Sequence, residues 1–359
     1  MGLLDLGIII DPDIRKAQTL PSSYYTDANT LLKIKCSFRE NWHFACHQSQ
    51  FGENRAIELA HMQELIGEPM IATSSDKIRC MSNVCTHRGM MIVKDKCPNR
   101  SLKCGYHGRV FSLDGSFMSM PEFAGVDCFP SSNDDLRGFS TFIWRGLVFA
   151  GINPSSLEPA IHEMEDRIGW MPIDDFEYDE SRNRSYDIQA NWALYVDNYL
   201  EGFHIPFVHK DLNSVLDYGN YQTEIFEGGV LQIGMANDDQ PSFLHPEESP
   251  DFGKKIAAYY YWIYPGLMLN FYPWGLSVNL VIPLSVRKTR IIYHGFVWDR
   301  SMLGLGAGGN LDKVEQEDQE IVESVNLGVS SGTYDRGRYS PTRETGVHHF
   351  HRILTEKLS

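Results

Sequence analysis

Residues 191–209 read NWALYVDNYLEGFHIPFVH, and the chemistry of this stretch organises the interpretation of the whole chain. Its first part has a helical pattern, so Asp197, Glu201 and His204, spaced i, i+4 and i+7, would share one face. The proline that follows interrupts a regular helix, so His209 is expected at a bend. Two imidazoles beside carboxylates suit a divalent ion of iron, zinc, copper or nickel, whereas unrelated polar residues on a helix are the alternative.

Length and charge limit the possible functions. A chain of 359 residues is long enough for two domains, each with its own core. Nucleic acids and anionic membranes bind basic protein surfaces. Because the net charge of this chain is −15, neither is expected as a partner. No apolar run reaches the length of a transmembrane helix.

The N-terminal sequence and the cysteines suggest a cytoplasmic protein. The segment MGLLDLGIIIDPD is apolar but has no basic region, which argues against a signal peptide. Gly2 follows the initiator, but Leu6 stands where a myristoylation site requires Ser or Thr. The chain has seven cysteines, an odd number that favours free thiols or metal ligands over a disulfide framework.

The pattern along the chain predicts an α+β protein. Residues 1–40 form a partly helical lead-in, and 41–152 form an all-β domain of short strands, with hairpin turns at Asp114-Gly115 and Arg145-Gly146. Residues 153–359 form a second domain, in which β-rich sequence follows the central helix and a long helix follows the strands.

Two short motifs in the all-β domain offer a second set of metal ligands. CTH at 85–87 and CGYH at 104–107 each supply one thiolate and one imidazole: Cys85, His87, Cys104 and His107. Zinc could use the same ligands, but zinc fingers pair Cys with Cys and place the His pair on a helix. A Cys before a His in each of two β loops favours a [2Fe–2S] Rieske centre, in which two Cys hold one iron and two His the other.

The two motifs, together with the run from Asp197 to His209, resemble the Rieske-type non-haem iron oxygenases in their catalytic alpha subunit. The resemblance extends from about residue 40 to the C-terminus. It implies an N-terminal Rieske domain, a C-terminal helix-grip domain of antiparallel sheet and long helices, a [2Fe–2S] cluster and a mononuclear Fe(II). Two residues depart from the family pattern: Gly105 replaces the usual Pro and Arg109 the usual Trp.

His204 and His209 need a carboxylate to complete an iron triad, and Asp318 is the candidate. On a helix expected from Asn310 to Leu327, Asp318 falls within an apolar stripe, where a carboxylate is costly unless a cation meets it. A helix acid hydrated by water is the alternative. The stripe comprises Leu311, Val314, Ile321, Val322 and Val325, and the acids expected toward solvent are Glu315, Glu317 and Glu320.

The resemblance also implies how the two centres communicate. In the family, the cluster of one subunit serves the iron of its neighbour in a ring of three, through a carboxylate three residues before the first iron His. Glu201 occupies that position and would bridge His204 and His107 of the partner subunit in a homotrimer. We expect Asn198 to orient oxygen or a water, and Asp197 to support a ligand imidazole.

The sequence favours a small organic substrate hydroxylated with O2. Aromatic residues crowd the region 259–274, where alternate strand positions could form a cage for a quaternary ammonium by cation–π attraction. Stacking against an arene is the alternative, which would make the enzyme an aromatic ring hydroxylase. The glutamate at position 201 resembles the choline, betaine and carnitine branch, which we favour.

Electrons are expected from a separate NAD(P)H-dependent reductase of the flavin or ferredoxin type. GLGAGG at 304–309 fits a dinucleotide fingerprint by letter, but no second strand is predicted after the following helix. A Rieske electron carrier without catalytic iron is the alternative from another class, and it would not need the later His and Asp residues. A zinc hydrolase is a third possibility.

Overall fold

The computed structural model describes residues 8–358, which form two compact units. Phe38–Ser155 is one unit, and the described residues up to Ser37 and from Ser156 onward form the other. The features noted at Gly2 and Leu6 lie outside the described residues. We propose that the lead-in ends at residue 40 and that the all-β domain ends at residue 152.

Two helices occupy the N-terminal lead-in: α1 (Ser23–Thr26) and α2 (Ala28–Phe38). The Asp27 carboxylate accepts a hydrogen bond from the backbone N–H of Thr30 at 2.7 Å, which caps the first turn of α2. Leu31 and Ile34 are buried, so one side of α2 contributes to a core.

The unit Phe38–Ser155 is built mainly of short antiparallel strands, which confirms the predicted all-β architecture. Strands β1-β10-β9-β4-β3-β2-β5 form one sheet, and β6-β7-β8 form a smaller one. The strands are β1 (His43–His47), β2 (Ala56–Leu59), β3 (Met70–Ser74), β4 (Ile78–Ser82), β5 (Lys96–Cys97), β6 (Ser101–Lys103), β7 (Val110–Ser112), β8 (Phe117–Ser119), β9 (Gly138–Trp144) and β10 (Leu147–Gly151). Helix α3 (Ala60–Ile66) and 3-10 turns at Gln48–Phe51 and Ser132–Asp134 connect them.

The turn between β9 and β10 follows from its two residues. Arg145 and Gly146 have φ values of 49° and 81°, and a two-residue hairpin with the right twist requires positive φ at such positions. A side chain at Gly146 would also meet His47, since a Cβ there would lie 2.4 Å from its Nε2. Glycine is therefore required at this turn.

The second unit contains a seven-stranded antiparallel sheet in the order β11-β17-β16-β15-β14-β13-β12. Its strands are β11 (Glu177–Ile188), β12 (Gln222–Phe226), β13 (Gly229–Met235), β14 (Ile256–Ile263), β15 (Leu267–Tyr272), β16 (Gly275–Ser285) and β17 (Lys288–Val297). Its helices after the lead-in are α4 (Glu158–Ile168), α5 (Trp192–Tyr199), α6 (Ile205–Val208), α7 (Lys210–Val215), α8 (Leu311–Val329) and α9 (Thr345–Leu358). Short 3-10 turns lie at Ile173–Asp175, Tyr218–Asn220, Arg300–Met302 and Gly306–Gly308.

The helices pack on this sheet and place the functional residues against it. β15 is buried along its whole length, which explains its apolar sequence without polar alternation. Helix α5 begins where the Asn191 side chain accepts a hydrogen bond from Ala193 N at 3.0 Å, and it contacts α8, α9 and β16. Long helices against an antiparallel sheet confirm the predicted helix-grip domain.

Candidate metal centres and substrate cavity

Three side chains converge between the α6 region and α8. His204 Nε2 lies 3.1 Å from His209 Nε2, and Asp318 Oδ1 lies 3.0 Å from His209 Nε2 and 3.5 Å from His204 Nε2. Metal–nitrogen bonds of about 2.1 Å at right angles separate two ligand atoms by about 3.0 Å. The three atoms are therefore spaced to bind a single ion.

The far side of each imidazole fixes its tautomer. His204 Nδ1 lies 2.7 Å from Glu201 Oε1, and His209 Nδ1 lies 2.8 Å from Glu317 Oε2. Ionised carboxylates only accept hydrogen bonds, so each Nδ1 carries hydrogen, which leaves each Nε2 as the ring atom that a metal ion would bind. These two nitrogens and the Asp318 carboxylate oxygen are close enough for all three to bind one cation placed between them. The donor set thus fits a metal ion.

Carboxylates outnumber cations around this site. Burial disfavours a charged imidazole, but the neighbouring carboxylates of Asp318 and Glu317 prevail and raise the pKa of His209. Glu317 was expected toward the rim of the helix or outside it, and its side chain is 27% exposed, but its carboxylate also reaches His209, which was not expected. The surplus negative charge favours a divalent cation.

The local backbone differs from the predicted continuous helix. Helix α5 ends at Tyr199, so the expectation of one helical face reaching His204 is wrong. A turn follows, and α6 starts at Ile205 with Pro206 in its first turn, where the missing N–H leaves no helical hydrogen bond unmade. His204 and His209 flank α6, which brings their ring centroids to 5.0 Å.

Asp318 lies on α8, and its side chain is 13% exposed. Asn198 Nδ2 donates a hydrogen bond to Asp318 Oδ1 at 2.6 Å. Asn198, expected to orient oxygen or a water, is thus positioned to hold the carboxylate. The predicted apolar stripe is only partly buried, because Val322 is buried but Ile321 and Val325 are 38% and 43% exposed.

Glu315 was also expected toward solvent, which is wrong. It faces inward, where the hydroxyls of Tyr195 and Tyr293 donate hydrogen bonds to its carboxylate. Burial, followed by the nearby Asp318 charge, raises the pKa of Glu315 to about 7. The three-residue spacing from Asp318, which puts both side chains on one helix face, was the available sequence signal.

Asp197 has different partners from those expected. It accepts hydrogen bonds from Tyr25 Oη at 2.9 Å and from His351 Nε2 at 2.7 Å, whereas we expected it to support a ligand imidazole. Tyr339 Oη lies 2.6 Å from His351 Nδ1. The carboxylate therefore ties α5 to the lead-in and to α9. The cluster of histidines on α9 gave the only sequence signal for this network.

A cavity of about 80 Å³ adjoins the triad between the helices and the sheet. Tyr260 and Tyr272 line it, whereas their strand neighbours Tyr259 and Phe271 do not, as alternation along the strands predicts. Sequence reasoning missed two further tyrosines of the wall, Tyr199 and Tyr221, which lie outside the aromatic run. The four tyrosine side chains give the cavity an aromatic lining.

The other candidate centre lies in two loops of the unit Phe38–Ser155. Each loop closes with the same backbone hydrogen bond, from Gly89 N to Cys85 O at 2.9 Å and from Gly108 N to Cys104 O at 3.1 Å. Both glycines have a φ of 74°, in the left-handed region that favours glycine. The repeated geometry presents a Cys and a His from each loop in equivalent ways.

The four expected cluster ligands differ in burial. Cys85 and Cys104 are buried, His87 is half-buried and His107 is exposed. The two imidazole centroids lie 4.7 Å apart. Inner thiols and outer imidazoles suit a cluster whose two irons have different ligands, and an exposed His suits contact with another molecule.

Arg109, which replaces the usual Trp, is almost fully buried beside these loops. Its guanidinium donates to Thr86 Oγ1 at 2.8 Å and to Asp134 Oδ1 at 2.6 Å. Thr86 lies between the first two expected ligands, so Arg109 links one loop to the other. Four phenylalanine rings surround its guanidinium carbon at 5.0–6.0 Å: Phe111, Phe117, Phe123 and Phe129.

An all-β unit with Cys and His loops, followed by a helix-grip unit with two His and one Asp, defines a two-centre iron oxygenase. Family profiles agree: ring hydroxylating alpha subunit (catalytic domain) matches residues 175–359, and Rieske [2Fe-2S] domain matches residues 41–130. The chain belongs to the ring hydroxylating alpha subunit family. It is an oxidoreductase with a Rieske cluster and a mononuclear iron as cofactors.

Several known proteins are similar along almost the whole chain. The chloroplastic choline monooxygenase of Arabidopsis thaliana is 29% identical, covering 97% of this chain and 85% of that protein. The carnitine monooxygenase oxygenase subunit of Escherichia coli (strain K12) is 25% identical, covering 95% and 94%. The quaternary ammonium Rieske monooxygenase CntA in complex with L-carnitine shares the fold, with a TM-score of 0.79, 22% identity and 100% of each chain covered.

Membrane-spanning helices are not found among residues 8–358, since none of the helices there combines sufficient length with sufficient apolar character.

Proposed function

We propose that this chain is the terminal oxygenase of a multicomponent system and hydroxylates a small quaternary ammonium compound. His204, His209 and Asp318 would hold the mononuclear iron, and Cys85, His87, Cys104 and His107 the cluster. The observation that carries the proposal is the convergence of His204 Nε2, His209 Nε2 and Asp318 Oδ1 to within 3.0–3.5 Å of one another. A Rieske electron carrier does not require a second metal site of this kind.

The mononuclear iron, when bound, supplies the activation of O2. Overall, R–H, O2, two electrons and two protons give R–OH and water. The protein contributes by fixing the ligands: Glu201 and Glu317 orient the two imidazoles, and Asn198 donates to Asp318.

The cavity wall supports an ammonium substrate. Tyrosine rings attract a cation through their faces, and Glu315 lies on the same wall, where a bound ammonium would favour the ionised form of its carboxyl group. Among the described residues, Glu315 forms no ion pair with Lys or Arg. The similarity to choline and carnitine monooxygenases supports the same substrate class.

We infer that electrons come from a separate reductase and pass between subunits of a homotrimer. Glu201 and His204 line the small cavity and also a second, larger cavity of about 460 Å³. Exposed Ile321 and Val325 lie on this second cavity. Glu201 is therefore reachable from outside the substrate cavity, as a bridge to His107 of the partner subunit requires.

Single-turnover chemistry tests the function without knowledge of the reductase. Iron-loaded protein is reduced with dithionite, freed of excess reductant and mixed with O2 and one compound: choline, glycine betaine, L-carnitine or benzoate. We expect an oxygenated or demethylated product from an ammonium compound and none from benzoate. A His209→Ala variant, which loses the iron site but keeps the cluster loops, serves as the control and should form no product. Products from benzoate alone would contradict the proposed substrate class.

A further inference from the structure

Three carboxylates of α8, at Asp312, Glu315 and Asp318, are spaced three residues apart, and the first two each accept hydrogen bonds from tyrosine. Residues three apart on a helix are neighbours on its surface. Helix α5 has the same spacing, and its Asn198 donates to Asp318 at 2.6 Å. Tyr195, one turn before Asn198, donates to Glu315 at 2.7 Å. The tyrosine contacts thus begin at the carboxylate next to the expected iron ligand.

Two further tyrosines lie on the sheet beside these carboxylates. The strand register pairs Tyr293 of β17 with Arg184 of β11. Tyr186, two residues after Arg184, is therefore a diagonal neighbour of Tyr293 on the same face of the sheet. Their ring centroids lie 5.9 Å apart with an interplanar angle of 72°, the edge-to-face contact that aromatic pairs favour. The two phenol rings are thus adjacent, and an electron can pass directly from one to the other.

Each of these phenol hydroxyls has a carboxylate that can receive its proton. Tyr293 donates to Glu315, and its hydroxyl oxygen lies 2.7 Å from that of Tyr195. Tyr186 donates to Asp312 at 3.3 Å. Tyr195 and Tyr293 are buried, whereas the Asp312 side chain is 61% exposed. The inner tyrosines therefore have a buried proton acceptor, and the outer tyrosine has one that is open to solvent.

We propose that Tyr293 and Tyr186 form a relay that carries a one-electron oxidising equivalent from the iron site to the protein surface, with Glu315 and Asp312 accepting the phenol protons. This inference rests on the proposed iron site, because the oxidant is generated there when O2 or hydrogen peroxide reacts without a substrate to consume it. Glu315 also lines the cavity beside the triad, so the inner end of the relay adjoins that site. The relay protects the side chains of the substrate cavity from oxidation.

Electrons and protons balance at each step of the relay. Tyr293 gives one electron to the oxidant and its hydroxyl proton to the Glu315 carboxylate, which leaves a neutral phenoxyl radical and a carboxylic acid. Burial raises the pKa of Glu315 to about 7, so this group holds a proton at neutral pH more readily than an exposed carboxylate does. Tyr186 then gives an electron to the Tyr293 radical, which recovers its proton from Glu315, while the Tyr186 proton passes to Asp312 and then to water. Ascorbate in solution restores Tyr186 by donating one hydrogen atom.

Radical formation without substrate tests the relay. Iron-loaded protein is mixed with hydrogen peroxide, frozen rapidly and examined by electron paramagnetic resonance, and the iron content of every variant is measured. We expect a tyrosyl signal whose hyperfine splitting changes when the protein is made with ring-deuterated tyrosine. Glu315→Gln should slow its formation at least about 10-fold, because an amide cannot take up the phenol proton. Replacement of both inner tyrosines, in Tyr195→Phe/Tyr293→Phe, should abolish the signal.

A variant at the outer end tests the direction of transfer. Tyr186→Phe should still form the radical, but added ascorbate should remove the signal more slowly than in the parent protein, because the radical stays on a buried ring. Tyr260→Phe is the matched control. Tyr260 lines the cavity beside the triad, but within residues 8–358 its hydroxyl has no carboxylate partner, so this variant should keep the signal. His209→Ala, which loses only the mononuclear iron, should give no tyrosyl signal.

The outcomes separate the relay from the proposed function. A parent protein that contains mononuclear iron and hydroxylates an ammonium compound, but forms no tyrosyl radical, would overturn the relay alone. Equal rates of radical formation in Glu315→Gln and the parent would do the same, as would a signal that persists without the two inner tyrosines. A protein that binds no mononuclear iron would instead refute the proposed function, and the relay with it.

Discussion

At the scale of single residues, the iron site depends on carboxylates that never need to touch the metal. Glu201 and Glu317 each accept a hydrogen bond from the Nδ1 of one imidazole and so direct its Nε2 inward. Only Glu201 also lines the second, larger cavity. Two residues with the same local contact thus have different surroundings, and substitution should separate their roles.

We predict that Glu201→Gln retains its iron but loses at least about 100-fold in reductase-coupled turnover, because the amide still accepts from His204 but no longer carries the bridging charge. Iron content, cluster spectra and product formation are measured together. Glu317→Gln is the matched control. It should also retain its iron, because its amide still accepts from His209, but it should keep most of its turnover, because Glu317 carries no bridging role. Normal turnover by Glu201→Gln would show that the bridging role is wrong.

Glu315 predicts a pH effect on stability in the iron-free protein. Its pKa is raised from 4.5 to about 7 by burial, so between these values the folded state holds a proton that the unfolded state has released. Stability therefore falls as pH rises from about 4.5 to about 7, by up to about 3 kcal/mol from this group. Chelator-treated Glu315→Gln should lose less stability over that range in chemical denaturation. Parallel curves for the two proteins would contradict the buried position.

At the scale of elements, α8 carries most of the functional contacts that were not predicted from the sequence. Its existence and the candidate Asp318 were predictable from periodicity, because an acid on an apolar stripe stands out. The contacts of Glu315 and Glu317 were not predictable. Three acids lie within four residues, and the sequence alone does not distinguish them. Their roles become visible only in the folded structure, where tyrosines contact Glu315 and His209 contacts Glu317. The break after Tyr199 was missed because helical spacing alone does not reveal where a helix ends.

The two cluster loops are joined by a single buried cation, so we predict that Arg109→Met destabilises their unit by about 2 kcal/mol. Backbone hydrogen bonding from Ser131, then Arg109, holds the pKa of Asp134 below its usual range. Removal of Arg109 leaves the Asp134 carboxylate without its cation, so that hydrogen bonds from Ser131 alone remain to stabilise its charge. The measurement is the thermal midpoint for loss of the cluster's visible absorption.

The double variant Arg109→Met/Asp134→Asn removes the stranded charge and should recover part of the lost midpoint. Recovery would attribute the effect to the ion pair rather than to packing against the rings. An unchanged midpoint in the single variant, or a double variant less stable than the single one, would refute this account of Arg109.

At the scale of the whole molecule, the predicted fold class was accessible because its signals are local and repeated. Hairpin turns such as Arg145-Gly146 and the two Cys–His loops identify one domain, and the long helix after aromatic strands identifies the other. The position of Arg182 over the Trp274 ring was not predictable, since it depends on a register shift in β11 and on Gly295 in a different strand. Long-range strand register determines such contacts, and no short motif encodes it.

The central claim is that one chain holds two separate iron centres, and iron quantification of purified, iron-reconstituted protein tests it most directly. We predict three irons per chain, of which two give the Rieske signal in electron paramagnetic resonance after reduction. His209→Ala should contain two irons and keep that signal, because only the mononuclear site depends on His209. Two irons per chain in the unaltered protein, with no further loss in His209→Ala, would contradict the account.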